Sequence, residues 1–307
     1  MNRASFSDEI ATFVRVVERG GFAAAADGTG LTPSGVSRTV TRLEDRLGVR
    51  LLQRTTRRLT LTPEGETLLA RGREILAAIE AAEAEVTAAR GKPRGLLRVN
   101  TSTAYARHRL VPRLASFHAR YPEVTVELSV SDRRVDPLAG QFDVVIRTGP
   151  VGDSPLIARR LEEGRRILCA SPHYLARRGA PEAPGDLARH DCLLLQGITR
   201  LSEWRFREDG RVVGRSITPA MTCDAAEILL DMALAGLGIV RLASFMLQEA
   251  LREGRLVPVL EAHHLPERVP VTALMPPGRQ NLPRVRAFLD VLAARAAPAD
   301  ERHELPP

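Results

Sequence analysis

The chain has almost no lysine, few aromatic residues, few cysteines and no long apolar run. Of its 44 basic residues, Lys92 alone is lysine. Positive charge is therefore carried by arginine, whose planar fork binds phosphate or guanine through paired hydrogen bonds. An arginine bias also follows from a GC-rich genome, so composition alone does not select nucleic acid as partner. Cys169, Cys192 and Cys223 stand far apart with no CxxC pair, which excludes a disulfide framework and fits a reducing compartment. The first twenty residues carry acids among the first ten and no uninterrupted apolar core, which is not the pattern of a signal peptide. The apolar stretch 225–243 is interrupted by Glu227, Asp231 and Arg241, too polar for a membrane span. A soluble, cytoplasmic protein with no membrane partner is expected.

Catalytic signatures are missing as well. The sequence has no GxSxG, HExxH or P-loop, and His263-His264 has no third ligand at usable spacing. His190-x-Cys192 makes no metal motif, and Gly236-Leu237-Gly238 lacks the third glycine of a dinucleotide fingerprint. No catalytic residue, metal or cofactor is expected, and the chain does not read as an enzyme.

What is present concentrates between residues 20 and 65. A chain of 307 residues that is 44% hydrophobic, with net charge +7, is globular and too long for one ordinary core, so two or three domains are expected. A first helix capped by Ser7 carries Ile10, Phe13, Val14 and Val17 on one face and ends near Gly20-Gly21. A short second helix over 22–27 is followed by a turn framed by Gly28 and Gly30. Thr32 then caps a third helix with Pro33 at its first position. Val36, Val40, Leu43 and Leu47 form its apolar stripe, leaving Ser34, Ser37, Arg38, Thr41 and Arg42 outward. Arg38, Arg42 and Arg46 recur every four residues, so they share one face. Such a face, with short hydroxyls beside fixed positive charge, suits a helix laid along nucleic acid. Residues 50–62 alternate as a β-hairpin, an arginine-rich wing carrying Arg54, Thr55, Arg57 and Arg58.

Thr62-Pro63-Glu64 opens a long helix reaching about residue 90. Leu68, Gly72, Ile75, Ile79, Ala82 and Val86 recur by fours and threes, a heptad seam that calls for a second chain. A homodimer is expected. The segment 91–95 (GKPRG) breaks the helix as a hinge. From residue 96 strands and helices alternate, which predicts a parallel sheet with crossover helices. About two hundred residues is twice a minimal α/β unit, hence two lobes with a cleft. The expected domains are 1–62 for DNA binding, 63–91 for the linker helix and 92–297 for ligand binding. Within the last, lobe 1 comprises about 95–162 and 268–297, and lobe 2 about 163–267. The tail 298–307 is polar and Pro-containing, with disorder expected.

Ligands of two-lobed α/β scaffolds bind at the carboxyl ends of strands, between the lobes. Thr101-Ser102-Thr103 follows a strand and opens a helix, so its hydroxyls and free N–H groups form an anion cradle. Thr148-Gly149 ends another strand in the same way. Asp224 precedes a helix, where it either faces ligand or caps.

These segments resemble the LysR-type transcriptional regulators. The resemblance is carried by RVVERGGFAAAA, by LTPSGVSRTVTRLEDRLGVRLLQRTTRRLTLTPEG, and by FHARYPEVTVELSVSDRRVD, FDVVIRTGPVGDSPLIARRL, CASPHYLARRGAP and ALAGLGIVRLA. Together they span about residues 6–295. The resemblance implies an all-α winged helix-turn-helix with a long linker helix, then an α/β two-lobed effector domain like the periplasmic binding proteins. It implies that the third helix enters the major groove of promoter DNA while the wing touches backbone or minor groove. It adds Thr199 of the second lobe to the ligand contacts, places a small-molecule effector in the cleft, and joins two dimers into a homotetramer. Two positions depart from the family pattern. Gly21 stands where serine is usual, and Thr29, with Gly28 beside it, where leucine is expected, each change costing local stability about 1 kcal/mol. A cytoplasmic solute-binding or sensor protein, with DNA binding secondary, is the alternative; the attached basic domain argues against it.

Overall fold

The computed structural model describes residues 5–27, 30–54, 59–86, 92–133, 142–152, 154–196 and 202–294. Within the first two of these, α1 (Phe6–Glu18), α2 (Phe22–Ala26) and α3 (Pro33–Leu47) pack into a trihelical unit. Its core holds Ile10, Phe13 and Val14 of α1 against Val36, Val40 and Leu43 of α3. Burying each aliphatic group stabilises by about 1.5–3 kcal/mol. The cap of α1 is Ser5 rather than Ser7, because Asp8 reaches back to accept the Ser5 N–H at 2.9 Å. Leu47 leaves the expected stripe and is exposed, since α3 ends there: Gly48 turns the chain with φ 70°. Gly28 and Thr29 lie outside the described residues.

The wing follows as β1 (Leu52–Arg54) and β2 (Leu59–Leu61), antiparallel, with Leu52 opposite Leu61. Glu44 of α3 fixes where it starts. Its buried carboxylate accepts the Leu51 and Leu52 N–H groups at 2.8 and 3.2 Å and the Arg50 guanidinium at 3.0 Å. Thr62 then caps α4 (Pro63–Val86), accepting the Gly65 N–H while donating to the Arg50 carbonyl. Gly65 is required at that spot, because a Cβ there would collide with the Leu51 carbonyl.

The remaining chain forms a nine-stranded mixed sheet in the order β10-β7-β11-β6-β13-β5-β3-β4, with β12 beside β6, and a separate β8-β9 hairpin. The strands are β3 (Gly95–Thr101), β4 (Val124–Val130), β5 (Val144–Thr148), β6 (Ile157–Ala170), β7 (Cys192–Leu195), β8 (Glu203–Glu208), β9 (Arg211–Ser216), β10 (Met221–Cys223), β11 (Ile239–Ala243), β12 (Val257–Pro258) and β13 (Arg268–Met275). The helices are α5 (Thr103–Tyr105), a π-helical turn over Ala106–Leu110, α6 (Val111–Arg120), α7 (Pro172–Arg178), α8 (Ala226–Leu234), α9 (Ser244–Arg252) and α10 (Pro283–Ala293). The two lobes with a cleft agree with expectation; an all-parallel sheet does not. β3 pairs parallel with β4 and β5, and β7 with β10 and β11, but β6 and β13 run antiparallel to each other and to their outer neighbours. The reason is the lobe crossing: the chain leaves lobe 1 along β6 and returns along β13, so the shared strands must oppose. On β6 the change of partner falls between Arg165, opposite Arg268, and Arg166, opposite Ala243.

Candidate nucleic-acid interface and ligand cleft

Helix α3 presents the first site. Thr32 caps it through Oγ1, which accepts the Gly35 N–H at 3.1 Å and lies 3.0 Å from the Ser34 hydroxyl. Thr32, Pro33, Ser34, Arg38 and Arg42 are exposed, while Ser37 and Thr41 are half-buried at the edge of the same face. The Arg42 guanidinium lies 3.4 Å from the Thr39 hydroxyl, a loose contact that leaves its other donors outward. Arg46, read as the third member of the row, belongs elsewhere. It pairs with buried Glu9 at 3.4 Å and covers the Phe6 ring at 5.2 Å, fastening α3 to α1. The exposed face is therefore hydroxyls and two arginines over an apolar back. Arg54 contributes backbone to β1, but its side chain and all of Thr55, Arg57 and Arg58 lie outside the described residues.

Helix α4 carries two faces where the sequence suggests one seam. A Cβ on Gly72 would press on the Ile10 and Val14 methyls of α1. Leu68, with Leu69 and Leu76, packs on the same trihelical core. These residues thus serve the chain's own domain. Ile75 and Ile79 are 42% and 39% exposed, and Ala82 is exposed beyond them. The side chain of Val86 lies outside the described residues. A period of four and three does not separate these faces, because the trihelical core overlaps only the first half of the seam.

The second site is a cavity of about 780 Å³ between the lobes. From lobe 1 it is lined by Ser102, Arg147 and Thr148, and from lobe 2 by Leu193, Trp204, Asp224 and Arg241. Ser102 also caps α5, accepting the Tyr105 N–H at 3.3 Å. Thr101, expected beside it, is fully buried and does not line the cavity; strand alternation turns its side chain the other way. Thr103 and Gly149 do not line it either: the Thr103 N–H is taken by Asp132 and the Gly149 N–H by the Pro270 carbonyl. Thr199 lies outside the described residues. Asp224 is exposed at the cavity wall, and the cap position of α8 is Ala225, so the capping alternative is not used. Arg147 is braced by Asn100 Oδ1 at 2.9 Å, and Asn100 by the Ser129 carbonyl.

Sequence reasoning missed the deepest lining. Arg241 sits in β11, where all five residues are buried, with its guanidinium 5.9 Å from the Trp204 ring centre. Burial pulls its pKa down to about 10, with Arg166 adding in the same direction. His264, held by burial and then by Arg241, is lowered to about 4 and is neutral at physiological pH. A signal was available: a charged residue inside GIVRLA interrupts an otherwise apolar buried strand.

Two sequence families match. The LysR substrate binding domain covers residues 90–297, and the bacterial regulatory helix-turn-helix protein, lysR family, covers residues 7–66. The transcriptional regulator CrgA of Neisseria meningitidis is 37% identical over 286 residues, spanning 93% of this chain and 95% of that protein. DmlR of Escherichia coli is 33% identical, with 88% of each chain covered. The solved structure of Neisseria meningitidis CrgA superimposes with a TM-score of 0.64 at 36% identity, over 95% of this chain and 98% of that one. The full-length Vibrio cholerae virulence activator AphB gives 0.58 at 29% identity, over 94% and 98%. These relatives are regulators rather than enzymes, and among the described residues no helix is long and apolar enough to cross a membrane. The chain belongs to the LysR family: it is a transcriptional regulator with a helix-turn-helix DNA-binding domain and an effector-binding domain.

Proposed function

We propose that Thr32, Pro33, Ser34, Ser37, Arg38, Thr41 and Arg42 of α3 read promoter DNA in the major groove. The wing residues Arg54, Thr55, Arg57 and Arg58 hold the adjacent backbone. The observation that carries this is the division of α3: its apolar back is sealed while hydroxyls and two arginines face solvent. Hydroxyls and backbone N–H groups at the helix start suit phosphate, and an arginine fork suits guanine. The domain boundaries are those expected from the sequence, at 62/63 and 91/92. The protein acts in the cytoplasm as a homodimer that pairs into a homotetramer, without catalysis. Ile75, Ile79 and Ala82, with Val86, form the dimer seam. The effector occupies the inter-lobe cavity, met by Ser102 and Thr148 from lobe 1 and Asp224 from lobe 2. Thr101, Thr103 and Gly149 shape the strand ends behind those contacts, and Thr199 is kept from the family resemblance.

The test uses DNA fragments that the wild-type protein selects from a random pool. In gel shifts Arg42→Ala or Arg38→Ala loses about 1–3 kcal/mol, roughly a five- to 150-fold loss of affinity, with helical content and oligomer mass unchanged. Wild-type affinity in both variants removes α3 as the reading helix.

A further inference from the structure

We propose that Glu18 is a positioning residue for DNA binding: its ion pair with Arg98 holds the helix-turn-helix domain against lobe 1, and this joint fixes the half-site spacing that a dimer accepts. The proposal rests on the paired use of two such domains on one DNA and adds what sets their separation.

Glu18 is the last residue of α1. A carboxylate there faces the negative end of the helix dipole, so the helix itself gains nothing from it. Its partners are tertiary. Oε1 accepts from Arg73 Nε of α4 at 3.2 Å, and Oε2 accepts from Arg98 Nη2 of β3 at 3.2 Å. One carboxylate is thus divided between the linker helix and lobe 1. The Arg73 side chain is 8% exposed. Burial lowers its pKa, Glu18 opposes that, and Arg98 and Arg279 add to the lowering. Charges from both domains therefore act on one another at this point.

The lobe 1 side of the joint is rigid. Asp143 holds the Arg98 backbone in both directions: its Oδ2 accepts the Arg98 N–H at 2.9 Å, and its own N–H donates to the Arg98 carbonyl at 2.8 Å. Asp143 is buried, and its other oxygen accepts from Arg279 at 2.6 Å. The turn Arg279–Asn281 in turn packs on α4. Strand β3 is paired along its whole length with β4, and at Val99 and Asn100 with β5. The Arg98 side chain therefore leaves from a fixed point in the sheet. An ion pair whose arginine is 30% exposed contributes little to stability. What it decides is orientation, because both ends are anchored while the covalent link at 92–94 has neither helix nor strand. The joint can also open without stranding a charge: Glu127 Oε2 of β4 stands 3.8 Å from Arg98 Nε.

Nitroxide labels on Asp45→Cys of α3 and Ala115→Cys of α6, both exposed positions, report the separation of the two domains by pulsed electron resonance. The full-length protein carries Cys223→Ser and is diluted with unlabelled chains. The same proteins are titrated with DNA that wild type selects from a random pool, and with that DNA after its halves are moved apart by about five base pairs, half a helical turn. Wild type is expected to give one narrow distance and to prefer the original spacing. Arg98→Glu, which sets two carboxylates against each other, broadens the distance and cuts the spacing preference roughly threefold or more. Its affinity for an isolated half-site stays that of wild type, and Arg98→Lys retains both the distance and the preference. Glu18→Gln serves as the readout if Arg98→Glu does not fold. A narrow distance with full spacing preference in Arg98→Glu and Glu18→Gln overturns the proposal, as does a broad distance in wild type. A broadened distance with unchanged spacing preference overturns the role in DNA binding and leaves a structural contact. These readouts do not depend on which face of the domain meets DNA, so failure of α3 as the reading helix shows separately, in Arg38→Ala and Arg42→Ala. A monomeric wild type removes the paired reading and the spacing claim with it.

Discussion

Glu44 ties α3 to the start of the wing. It is a buried carboxylate whose three donors come from the backbone and side chain that open the wing. Replacing it by Ala leaves the Leu51 and Leu52 N–H groups buried without an acceptor, at about 1–3 kcal/mol for each unsatisfied group. Glu44→Ala is expected to lower stability by that order in urea unfolding, and to weaken DNA binding through a displaced wing. A variant as stable as wild type would show that the ion pair and the backbone bonds are dispensable. His264 supplies a pH dependence. Folded, it stays neutral down to about pH 4; unfolded, it takes a proton below about 6.5. The unfolded chain then binds the extra proton, so stability falls as pH drops from about 6.5 towards 4. The wild-type minus His264→Phe stability difference, measured across that window, should shrink at the acid end; a flat difference contradicts the buried neutral ring.

At the scale of elements, what was legible depended on whether the cause was local. Thr32, Pro33 and Gly48 mark the ends of α3 by their own backbone chemistry, and α3 runs between them. The β8–β9 hairpin is equally readable: Asp209-Gly210 has φ of 47° and 75°, the positive-φ pair that a two-residue hairpin turn requires. Trp204 and Phe206 alternate inward beside it. Two other elements hid for physical reasons. The first half of β6 reads as a polar run because it crosses between lobes and shows charged side chains such as Arg160 and Glu163 on its surface. Helix α9 starts directly after β11, with no glycine or proline to announce it. On α4 the pattern named the seam but could not divide it, since Gly72 against Ile10 is a tertiary contact. The exposed half sets a prediction: Ile75→Glu with Ile79→Glu should leave the fold intact and convert the dimer to monomer in analytical ultracentrifugation. A dimer that persists would move the interface elsewhere.

At the scale of the molecule, the reading head and the ligand lobes are joined by charge as well as by chain. Glu18 at the end of α1 accepts Arg73 of α4 and Arg98 of β3, both at 3.2 Å. The Arg98 backbone N–H in turn donates to Asp143, which also receives Arg279. None of this was visible in the sequence, because the partners of Glu18 stand fifty-five and eighty positions away. The architecture places a cleft and a helix-turn-helix domain in one chain, and a dimer would present two such domains to one site. That account is tested most directly by the salt dependence of DNA binding. Each phosphate neutralised contributes about −0.9 to the slope of log K against log salt. If Arg38 or Arg42 meets phosphate in both halves of a dimer, each single Ala variant makes the slope shallower by about 2. Wild-type slope and affinity in both variants would contradict the paired reading of DNA by α3.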